Sequence, residues 1–315
     1  MPMMARRAPT AEEACGLLRI LVLGGDGMLG HKVVQRLSPT FETYATFRTP
    51  HGMWEEIPFY KGNPRAIGGV DAMGPESVAK AIRKARADAV INCIGLVKQR
   101  KEAQEPIEAI SVNALFPHRL SVACSKAGAR LIQVSTDCVF SGRKGRYGEE
   151  EVPDPEDLYG RTKLLGEVAG PNRLTLRTSL IGREFVGSFG LIEWFLSRRG
   201  STLKGYRNAI FSGLTTDAFA RILGRVLEDH RELEGLYHVA SEPISKYDLL
   251  SKIKDAAGLD LTIEPSDEPR LDRSLDGSRF LRATGIAVPS WDAMISALAK
   301  DDTPYDTWRK RHGTA

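Results

Sequence analysis

A short apolar segment that runs directly into a cluster of glycines is the feature that most limits how this chain can fold. Residues 17–24 have the sequence LLRILVLG, an apolar and β-branched run typical of a strand buried on both faces. The stretch GGDGMLG follows, and residues 28–37 then carry apolar side chains at helical spacing until Pro39 ends the run. A strand, a glycine turn and a helix in this order predict the first unit of a parallel sheet.

The same alternation of strand and helix continues along the chain. Further strands are predicted in TYATFR, IGGVDA, DAVINCIG, RLIQVS and LTLRTSLIG, and helices in PESVAKAIRKARA, IEAISVNALFPHRLSVACSKAG and SGLTTDAFARILGRVLED. Past Gly170 the alternation weakens, and the intervening segments are typical of smaller inserted pieces. We therefore predict an α/β protein with a Rossmann-type doubly wound parallel sheet and a smaller interleaved α/β lobe.

Composition and charge exclude several classes of protein. The chain has 315 residues, of which 42% are hydrophobic and 27% charged, values typical of a globular protein. Its formal net charge is +4, from 44 basic and 40 acidic residues, which gives little support for nucleic acid as a partner. No stretch reaches the ~18 consecutive apolar residues of a membrane span. Glu12 and Glu13 interrupt the region where a signal peptide would need its apolar run.

Cysteine and histidine usage argues against disulfides and metals. The four cysteines are too few and too widely spaced for a disulfide scaffold or a Cys-x-x-Cys site. The six histidines are scattered without the spacing of metal ligands. We therefore expect reduced thiols, no metal site and a cytoplasmic protein.

The glycine turn has the composition of a dinucleotide site. Gly24, Gly27 and Gly30 are spaced G-x-x-G-x-x-G between a buried strand and a helix. Glycines at these positions let backbone N–H groups approach a pyrophosphate, which the positive end of the helix also attracts. A tight turn without a ligand is the alternative interpretation.

Two residues further along the chain bear on which dinucleotide binds. The second strand ends in TYATFRTP, where Arg48 is present and no acidic residue is. A guanidinium there suits a 2′-phosphate, so we predict NADP(H), with NAD(H) as the second choice and a solvated surface arginine as the alternative. Asp71, after the third strand, is placed either to meet the adenine or to start the next helix.

Tyr159 and Lys163 carry the strongest catalytic signal. At positions i and i+4 of one helix they share a face, so the ammonium is expected to lower the phenol pKa from its usual ~10. Such a phenol can give its proton to a carbonyl oxygen while a hydride reaches the carbon. Thr136, at the end of a strand, can hydrogen-bond the same oxygen. The 19-residue connection FSGRKGRYGEEEVPDPEDL precedes the helix, and connections this long are usually functional or disordered.

Six motifs follow one another along the chain: GGDGMLG, NCIG, SVNALFPHRL, STDCVFSG, YGRTKLLGE and LRTSLIG. Their order resembles the extended short-chain dehydrogenase/reductase superfamily, closest to its dTDP-4-dehydrorhamnose reductase group, over roughly Arg19 to Tyr247. The resemblance implies a Rossmann domain that binds NADP(H) or NAD(H), with Thr136, Tyr159 and Lys163 as catalytic residues. The cofactor contacts that it implies are Asp26, Gly27, Met28 and Leu29 at the pyrophosphate, Cys93, Ile94 and Gly95 past the fourth strand, and again Tyr159 and Lys163.

The pattern of strands and helices also suggests how the chain divides into domains. We expect a disordered tail at residues 1–17, an NAD(P)-binding domain at 18–174 plus roughly 212–241, and a substrate-binding lobe at 175–211 and 242–315. Asn113 falls where the superfamily keeps an asparagine that supports a proton relay to the lysine. A hydrogen bond from this side chain to backbone beside the Pro117 break is an equal alternative.

The triplet Thr136-Asp137-Cys138 separates related chemistries. Dehydratases of the superfamily carry Thr-Asp-Glu there, and a thiol of pKa ~8.5 is a poor substitute for the glutamate, which argues against elimination. Epimerases are associated with tightly held NAD, whereas Arg48 favours exchangeable NADPH. The resemblance therefore implies NADPH-dependent 4-keto reduction of a nucleotide-linked 6-deoxy-hexosulose, in deoxysugar or surface polysaccharide biosynthesis.

The residues that contact this substrate are less well defined by the sequence. The group's Thr-Ser-Trp is replaced by Thr178-Ser179-Leu180, which removes an aromatic surface. The candidate substrate contacts are Ser135, Asp137, Trp194, Tyr206 and Arg207, with packing of the small lobe as the alternative for the last three. An epimerase and a non-catalytic cofactor-binding regulatory subunit are the alternative functions, and a homodimer is a possible assembly.

Overall fold

Seven parallel strands form the central sheet of the protein, whose computed structural model describes residues 17–98 and 104–313. The strands are β1 (Arg19–Leu23), β2 (Glu42–Thr46), β3 (Ala66–Ile67), β4 (Ala89–Asn92), β5 (Arg130–Thr136), β6 (Arg173–Thr178) and β11 (Gly235–His238). Their order is β11-β6-β5-β4-β1-β2-β3, which changes direction between β1 and β4. Ligands of doubly wound sheets bind beside such a switch point. The predicted Rossmann-type parallel sheet is confirmed.

Helices cover the sheet and connect its strands. They are α1 (Gly30–Leu37), α2 (Pro75–Ala85), α3 (Pro106–Ala109), α4 (Phe116–Ala127), α5 (Leu158–Leu165), α6 (Leu191–Leu196), α7 (Thr216–Asp229), α8 (Lys246–Ala257), α9 (Ser278–Thr284), α10 (Trp291–Ala299) and α11 (Tyr305–His312). A π-helical segment, Ile110–Leu115, joins α3 to α4, and Asp137–Val139 forms one 3₁₀ turn after β5. Over residues 17–98 and 104–313, no helix combines the length and the apolar character needed to cross a membrane.

The two faces of the sheet are packed by different helices. Along β1, Ile20 and Val22 belong to the hydrophobic cluster that includes α1 and α7. Leu21 and Leu23 belong to the cluster that includes α2 and α4. Successive strand residues point to opposite faces, so a strand covered on both sides is apolar at every position. This packing explains why the continuous apolar run in the sequence is a central strand.

Three small sheets lie outside the central one. Their strands are β7 (Leu180–Ile181), β8 (Thr202–Tyr206), β9 (Ala209–Phe211), β10 (Leu214–Thr215), β12 (Ile244–Ser245), β13 (Thr262–Ser266) and β14 (Leu271–Asp272). β10 pairs with β7, β13 pairs with β8, and β9 lies between β12 and β14. These pairs join segments that are distant in the sequence, which is the interleaving predicted for the smaller lobe.

The central sheet extends past the domain limit expected at residue 174. β6 pairs with β5 as far as Thr178, which lies opposite Thr136. The expected domain boundary therefore falls inside β6, because this strand pairs without interruption along β5. Residues 1–16 of the expected tail lie outside the described part of the chain.

The end of the chain also packs differently from the expectation that residues 242–315 form the small lobe. Lys32 of α1 forms a buried ion pair with Asp301, with 2.6 Å between Nζ and the carboxylate. His31 shares a hydrogen bond of 2.7 Å with the hydroxyl of Tyr305. These buried polar contacts attach the C-terminal segment to the first helix of the central sheet.

Candidate active site

The glycine turn lies between the end of β1 and the start of α1. Gly30 has no room for a side chain, since a Cβ there would lie 1.9 Å from the carbonyl oxygen of Gly24. This close approach folds the chain so that Asp26 and Gly27 are exposed at the carboxyl edge of the sheet. Leu29 packs its side chain into the core, which leaves only its backbone to meet a ligand.

Residues from two other segments support this turn. Tyr60 donates a hydrogen bond of 2.6 Å to the carbonyl oxygen of Gly25, and its side chain is buried against the ring of Phe47. Met28 is partly buried, with its sulfur near Gly190 in the loop before α6. Tyr60 was not singled out from the sequence, because an isolated tyrosine in a loop has no pattern that marks such a contact.

Arg48 and Asp71 lie in different environments. Arg48 follows β2, is exposed and has no ion-pair partner among the described residues, so its guanidinium is available to an anion. Asp71 accepts a hydrogen bond of 3.0 Å from the backbone N–H of Met73, just before α2. This contact corresponds to the second interpretation of Asp71, a residue that shapes the start of a helix. A role at the adenine stays a prediction.

The segment after β4 is held by Asn113. The side-chain oxygen of Asn113 accepts from the Leu96 N–H at 2.9 Å, and its amide donates to the Leu96 carbonyl at 3.1 Å. These bonds reach backbone in another segment, rather than the backbone beside Pro117 that the sequence suggested, and they hold the chain just after Gly95. Burial raises the pKa of the Cys93 thiol to about 12, so this thiol stays neutral.

Helix α5 is positioned at both its start and its first turn. The carboxylate of Asp157 caps the helix by accepting from the Gly160 N–H at 2.8 Å, and Lys98 pairs with the same carboxylate at 2.6 Å. A Cβ on Gly160 would lie 2.3 Å from the carbonyl oxygen of Cys138. Glycine at this position therefore lets α5 press against the 3₁₀ turn that follows Thr136.

This close packing brings the three predicted catalytic residues together. The Thr136 hydroxyl lies close enough to the Tyr159 hydroxyl to oppose the rise of its pKa. Lys163 donates a hydrogen bond of 2.8 Å to the carbonyl oxygen of Val134 on β5, and its Nζ lies beside Gly95. Side chains from β5 and α5 and backbone after β4 thus meet at the carboxyl edge of the sheet, next to its switch point.

The electrostatics of this site differ from the prediction for Tyr159. Burial has the largest effect on the phenol and raises its pKa, and the nearby Cys138 raises it further. The hydroxyl of Thr136 opposes this rise only in part. The prediction that Lys163 lowers the phenol pKa is therefore wrong, because desolvation of Tyr159 outweighs the other effects. Burial also lowers the pKa of Lys163 to about 8, against the opposing effect of Glu167.

Two cations that sequence analysis missed lie near the loop that begins at Thr136. Lys246 begins α8; burial lowers its pKa, and the charge of Asp137 opposes this lowering. Arg273, directly after β14, donates a hydrogen bond of 3.0 Å to the carbonyl oxygen of Phe140 and lies 4.0 Å from the Cys138 sulfur. A lysine in the first turn of a helix opposes the helix dipole, which is a signal that could have marked Lys246.

The five candidate substrate contacts lie in different surroundings. Ser135 and Thr136 point to opposite faces of the sheet, because consecutive residues of a strand alternate. Ser135 donates a hydrogen bond of 2.7 Å to Glu167, so the prediction that it contacts the substrate is wrong. Trp194 packs against the main core. Tyr206 ends β8 and is exposed, and Arg207 lies 3.9 Å from the carboxylate of Asp267. Asp137 accepts a hydrogen bond of 3.1 Å from the Thr136 hydroxyl.

Metal-ligating residues do not cluster in the part of the chain that the structure describes. Over residues 17–98 and 104–313, no group of three or more His, Cys, Asp or Glu side chains could hold a metal ion.

Replacement Lys163→Met is expected to raise the free energy of unfolding at pH 7 by about 2 kcal/mol, because it removes a buried ammonium. Folding lowers the lysine pKa from 10.5 to about 8, so the folded chain binds fewer protons between these values. The desolvation penalty is therefore full below pH 8 and disappears as the pH rises toward 10.5. Urea unfolding of both proteins at pH 7 and pH 10 measures the effect.

The matched control is Lys80→Met, whose side chain is exposed on α2. We expect no change in stability for this variant at either pH. An advantage of Lys163→Met that is the same at pH 7 and pH 10 would contradict the assignment of the penalty to a buried charge.

Comparison with known proteins places the chain in a family. It matches the family model described as "RmlD substrate binding domain" over residues 18–303. The dTDP-4-dehydrorhamnose reductase of Salmonella typhimurium is 28% identical over 253 residues, which cover 72% of this chain and 84% of that protein. The protein named "Probable low-salt glycan biosynthesis reductase Agl14", from Haloferax volcanii, is 28% identical over 306 residues, covering 91% of this chain and 99% of that protein.

A solved structure agrees with these relatives. The crystal structure of a hypothetical dTDP-4-dehydrorhamnose reductase from Sulfolobus tokodaii has a TM-score of 0.72 and 26% sequence identity, and the match covers 88% of this chain and 99% of that one. The resemblance stated from the six motifs is therefore confirmed. The chain belongs to the RmlD substrate binding domain family, within the extended short-chain dehydrogenase/reductases.

Proposed function

We propose that the protein uses NADPH to reduce the 4-keto group of a nucleotide-linked 6-deoxy-hexosulose, a step of deoxysugar or surface polysaccharide biosynthesis. One observation carries the proposal. The hydroxyl groups of Thr136 and Tyr159 meet at the carboxyl edge of the sheet, one helical turn from Lys163. Two neutral hydroxyls in this position form a site for one carbonyl oxygen. Relatives named dTDP-4-dehydrorhamnose reductase support this substrate class.

The residues present fit a dinucleotide. A Cβ on Gly27 would meet only the carbonyl oxygen of Gly24, at 3.4 Å, so the open side of the turn has space for a pyrophosphate. We assign the pyrophosphate to the backbone of residues 26–29 and the nicotinamide side to Cys93, Ile94 and Gly95. Arg48 is assigned to the 2′-phosphate, which makes NADPH the preferred cofactor and NADH the second choice. When bound, the reduced nicotinamide supplies a hydride.

In this mechanism Tyr159 is the acid. Its raised pKa keeps the phenol protonated at neutral pH, so a proton is available when the C4 carbon accepts a hydride. The carbonyl oxygen takes that proton and becomes a hydroxyl, and Thr136 holds the same oxygen during the transfer. The Lys163 ammonium stabilises the tyrosinate that is left behind, since its pKa of about 8 keeps it mostly charged at pH 7.

Cys138 supports reduction over elimination. Burial and the neighbouring Asp137 raise the pKa of its thiol to about 12, so it stays neutral and does not remove a proton from the sugar. An epimerase would regenerate its cofactor, whereas a reductase consumes NADPH. A regulatory subunit would bind the cofactor without turnover, and it would have no use for a paired tyrosine and threonine.

We further propose that the small sheets form the substrate lobe and that the protein works in the cytoplasm. The small sheet formed by β9, β12 and β14 places Lys246 and Arg273 near the loop after β5, which supports a substrate-binding role for this lobe. The described cysteines are free thiols, which suits a reducing compartment.

Replacement Tyr159→Phe is expected to lower kcat by about 1000-fold, because it removes only the acidic proton. Oxidation of NADPH in the presence of a dTDP-linked 4-keto-6-deoxyhexose, followed at the absorbance of the reduced nicotinamide, measures the effect. Affinity for NADPH should change little. The control is Tyr44→Phe, which removes the hydrogen bond from the Tyr44 hydroxyl to Glu42, another residue of β2. Turnover of the Tyr159→Phe variant at the wild-type rate would refute the proposed acid.

Replacement Arg48→Asp is expected to weaken NADPH binding by about 100-fold while NADH changes about 3-fold or less, because only NADPH carries the 2′-phosphate. Titration of nicotinamide fluorescence gives both dissociation constants. Arg83→Asp, an exposed arginine on α2, controls for the change in net charge. An equal loss for the two dinucleotides would rule out the assignment of Arg48.

A second copy of the chain is our proposed partner. Apolar side chains on α4 and α5 are exposed, with Val122 at 54% and Leu165 at 62%, and His118 ties the two helices by a hydrogen bond to the Leu165 carbonyl. We expect a molar mass of twice 34.7 kDa in solution, and half of that for Val122→Lys combined with Leu165→Lys. Met73→Lys, an exposed apolar residue elsewhere, should leave the dimer intact. A wild-type monomer in sedimentation would contradict this proposal.

A further inference from the structure

Helix α11 reaches the glycine turn through the buried ring of His31. The hydroxyl of Tyr305, the first residue of α11, lies 2.7 Å from His31 Nε2, and His31 Nδ1 lies 2.8 Å from the carbonyl oxygen of Gly27. Tyr305 is 1% exposed and His31 is fully buried. Burial lowers the pKa of His31 to about 4, so its ring is neutral at pH 7.

The two partners of His31 decide which ring nitrogen carries the proton. A carbonyl oxygen can only accept, so Nδ1 donates to Gly27 and Nε2 is left as an acceptor for the Tyr305 hydroxyl. The direction of each hydrogen bond therefore fixes that of the next. Loss of the Tyr305 hydroxyl would leave a buried acceptor unpaired and release the ring that holds the Gly27 carbonyl.

The bond from His31 also sets the direction of the Met28 N–H. A trans peptide is planar, and its carbonyl and N–H groups point in opposite directions. The carbonyl of the peptide between Gly27 and Met28 accepts from both the side chain and the backbone N–H of His31. The Met28 N–H therefore points away from the buried ring, out of the start of α1. An anion at the start of a helix needs N–H groups in this direction.

A second residue of α11 holds the loop that faces the same turn. Arg309 is 5% exposed. Its guanidinium donates to three groups of the loop between β7 and α6: the carbonyl oxygens of Glu184 at 3.1 Å and Gly187 at 2.6 Å, and the Ser188 hydroxyl at 3.1 Å. The loop ends at Gly190, where an added Cβ would lie 3.3 Å from the Met28 sulfur. Arg309 thus fixes a segment that lies directly beside the turn.

An ion-pair bridge and a stack of rings hold α11 against this loop. Arg183 lies between the carboxylates of Glu193 on α6 and Asp306 on α11, at 2.5 Å from each. The ring of Phe185 packs edge-to-face on the rings of His31 and Trp308, with centroids 5.1 and 5.2 Å apart. The turn, the loop and α11 therefore pack as one unit.

We propose that α11 holds the glycine turn in the conformation that binds a dinucleotide, with Tyr305 and Arg309 as positioning residues. Tyr305 acts through the His31 ring, and Arg309 acts through the loop beside the turn. The inference rests on the proposed function, in which this turn receives the pyrophosphate of the cofactor. NADPH and NADH share that pyrophosphate, so the effect is common to both, unlike the effect of Arg48.

Tyr305→Phe is expected to weaken NADPH and NADH by the same factor, about 10-fold, the size of one hydrogen bond. Titration of nicotinamide fluorescence gives both dissociation constants without turnover. In the reaction, KM for NADPH should rise while kcat at saturating NADPH stays at the wild-type value. The control Tyr44→Phe also loses one side-chain hydrogen bond but packs on the opposite face of the sheet, and it should keep both constants.

Further variants separate positioning from a general loss of stability. In a His31→Gln background, Tyr305→Phe should cause no additional loss of affinity, because Tyr305 acts through that ring. Arg309→Lys keeps a cation but loses the forked donors, so it should weaken both dinucleotides. The matched control is Arg311→Lys, on the same helix with an exposed side chain, which should bind as the wild type does. Cooperative urea unfolding checks that each variant is folded.

The outcomes distinguish the inference from the function on which it rests. If Tyr305→Phe binds both dinucleotides with wild-type affinity, or if only NADPH is weakened, the positioning role is wrong and the proposed reduction stands. Should this variant not fold, Arg309→Lys carries the same expectation and the same two contrary results. If the wild type binds neither NADPH nor NADH, the proposed function itself fails.

Discussion

The attachment of residues 271–276 to the loop after β5 is the contact on which the rest of the site depends. Besides the bonds of Asp272 and Arg273 to this loop, the N–H of Tyr147 donates to the carbonyl of Ser274 at 2.9 Å, and Tyr147 pairs with Leu275 as an isolated parallel bridge. A late segment of the chain is thus joined to the connection between Thr136 and α5. This joint adds to the packing of Phe211 and Ile244 in the main core, which also holds the small sheets against the central one.

The joint also explains why a 19-residue connection is ordered. Backbone N–H and carbonyl groups of a long connection need partners when they are covered, and residues 271–276 supply them. The ring of Tyr147 stacks on Phe140, with 4.2 Å between ring centres, which adds apolar burial to these bonds. The connection is therefore part of the site wall, rather than a loose lid.

Charge is distributed in the site so that each group performs a different task. Lys163 satisfies part of its hydrogen-bonding capacity with the Val134 carbonyl, whereas the Lys246 ammonium lies 3.6 Å from the centre of the Phe211 ring. Both ammonium groups have lowered pKa values because burial disfavours their charged form. Such incompletely paired charges reduce stability, and proteins retain them where a ligand completes the pairing.

Local sequence determined the glycine turn, the sheet and the three candidate catalytic residues. Strand and helix periods are set by neighbouring residues, and a pair at i and i+4 on a helix shares a face whatever surrounds it. Thr136, Tyr159 and Lys163 could therefore be placed from motifs alone. Tertiary structure decided the raised phenol pKa, the bonds of Asn113 to Leu96, and the contact of Lys246 with the Phe211 ring. These depend on burial and on contacts between segments far apart in the chain, and no local pattern encodes either.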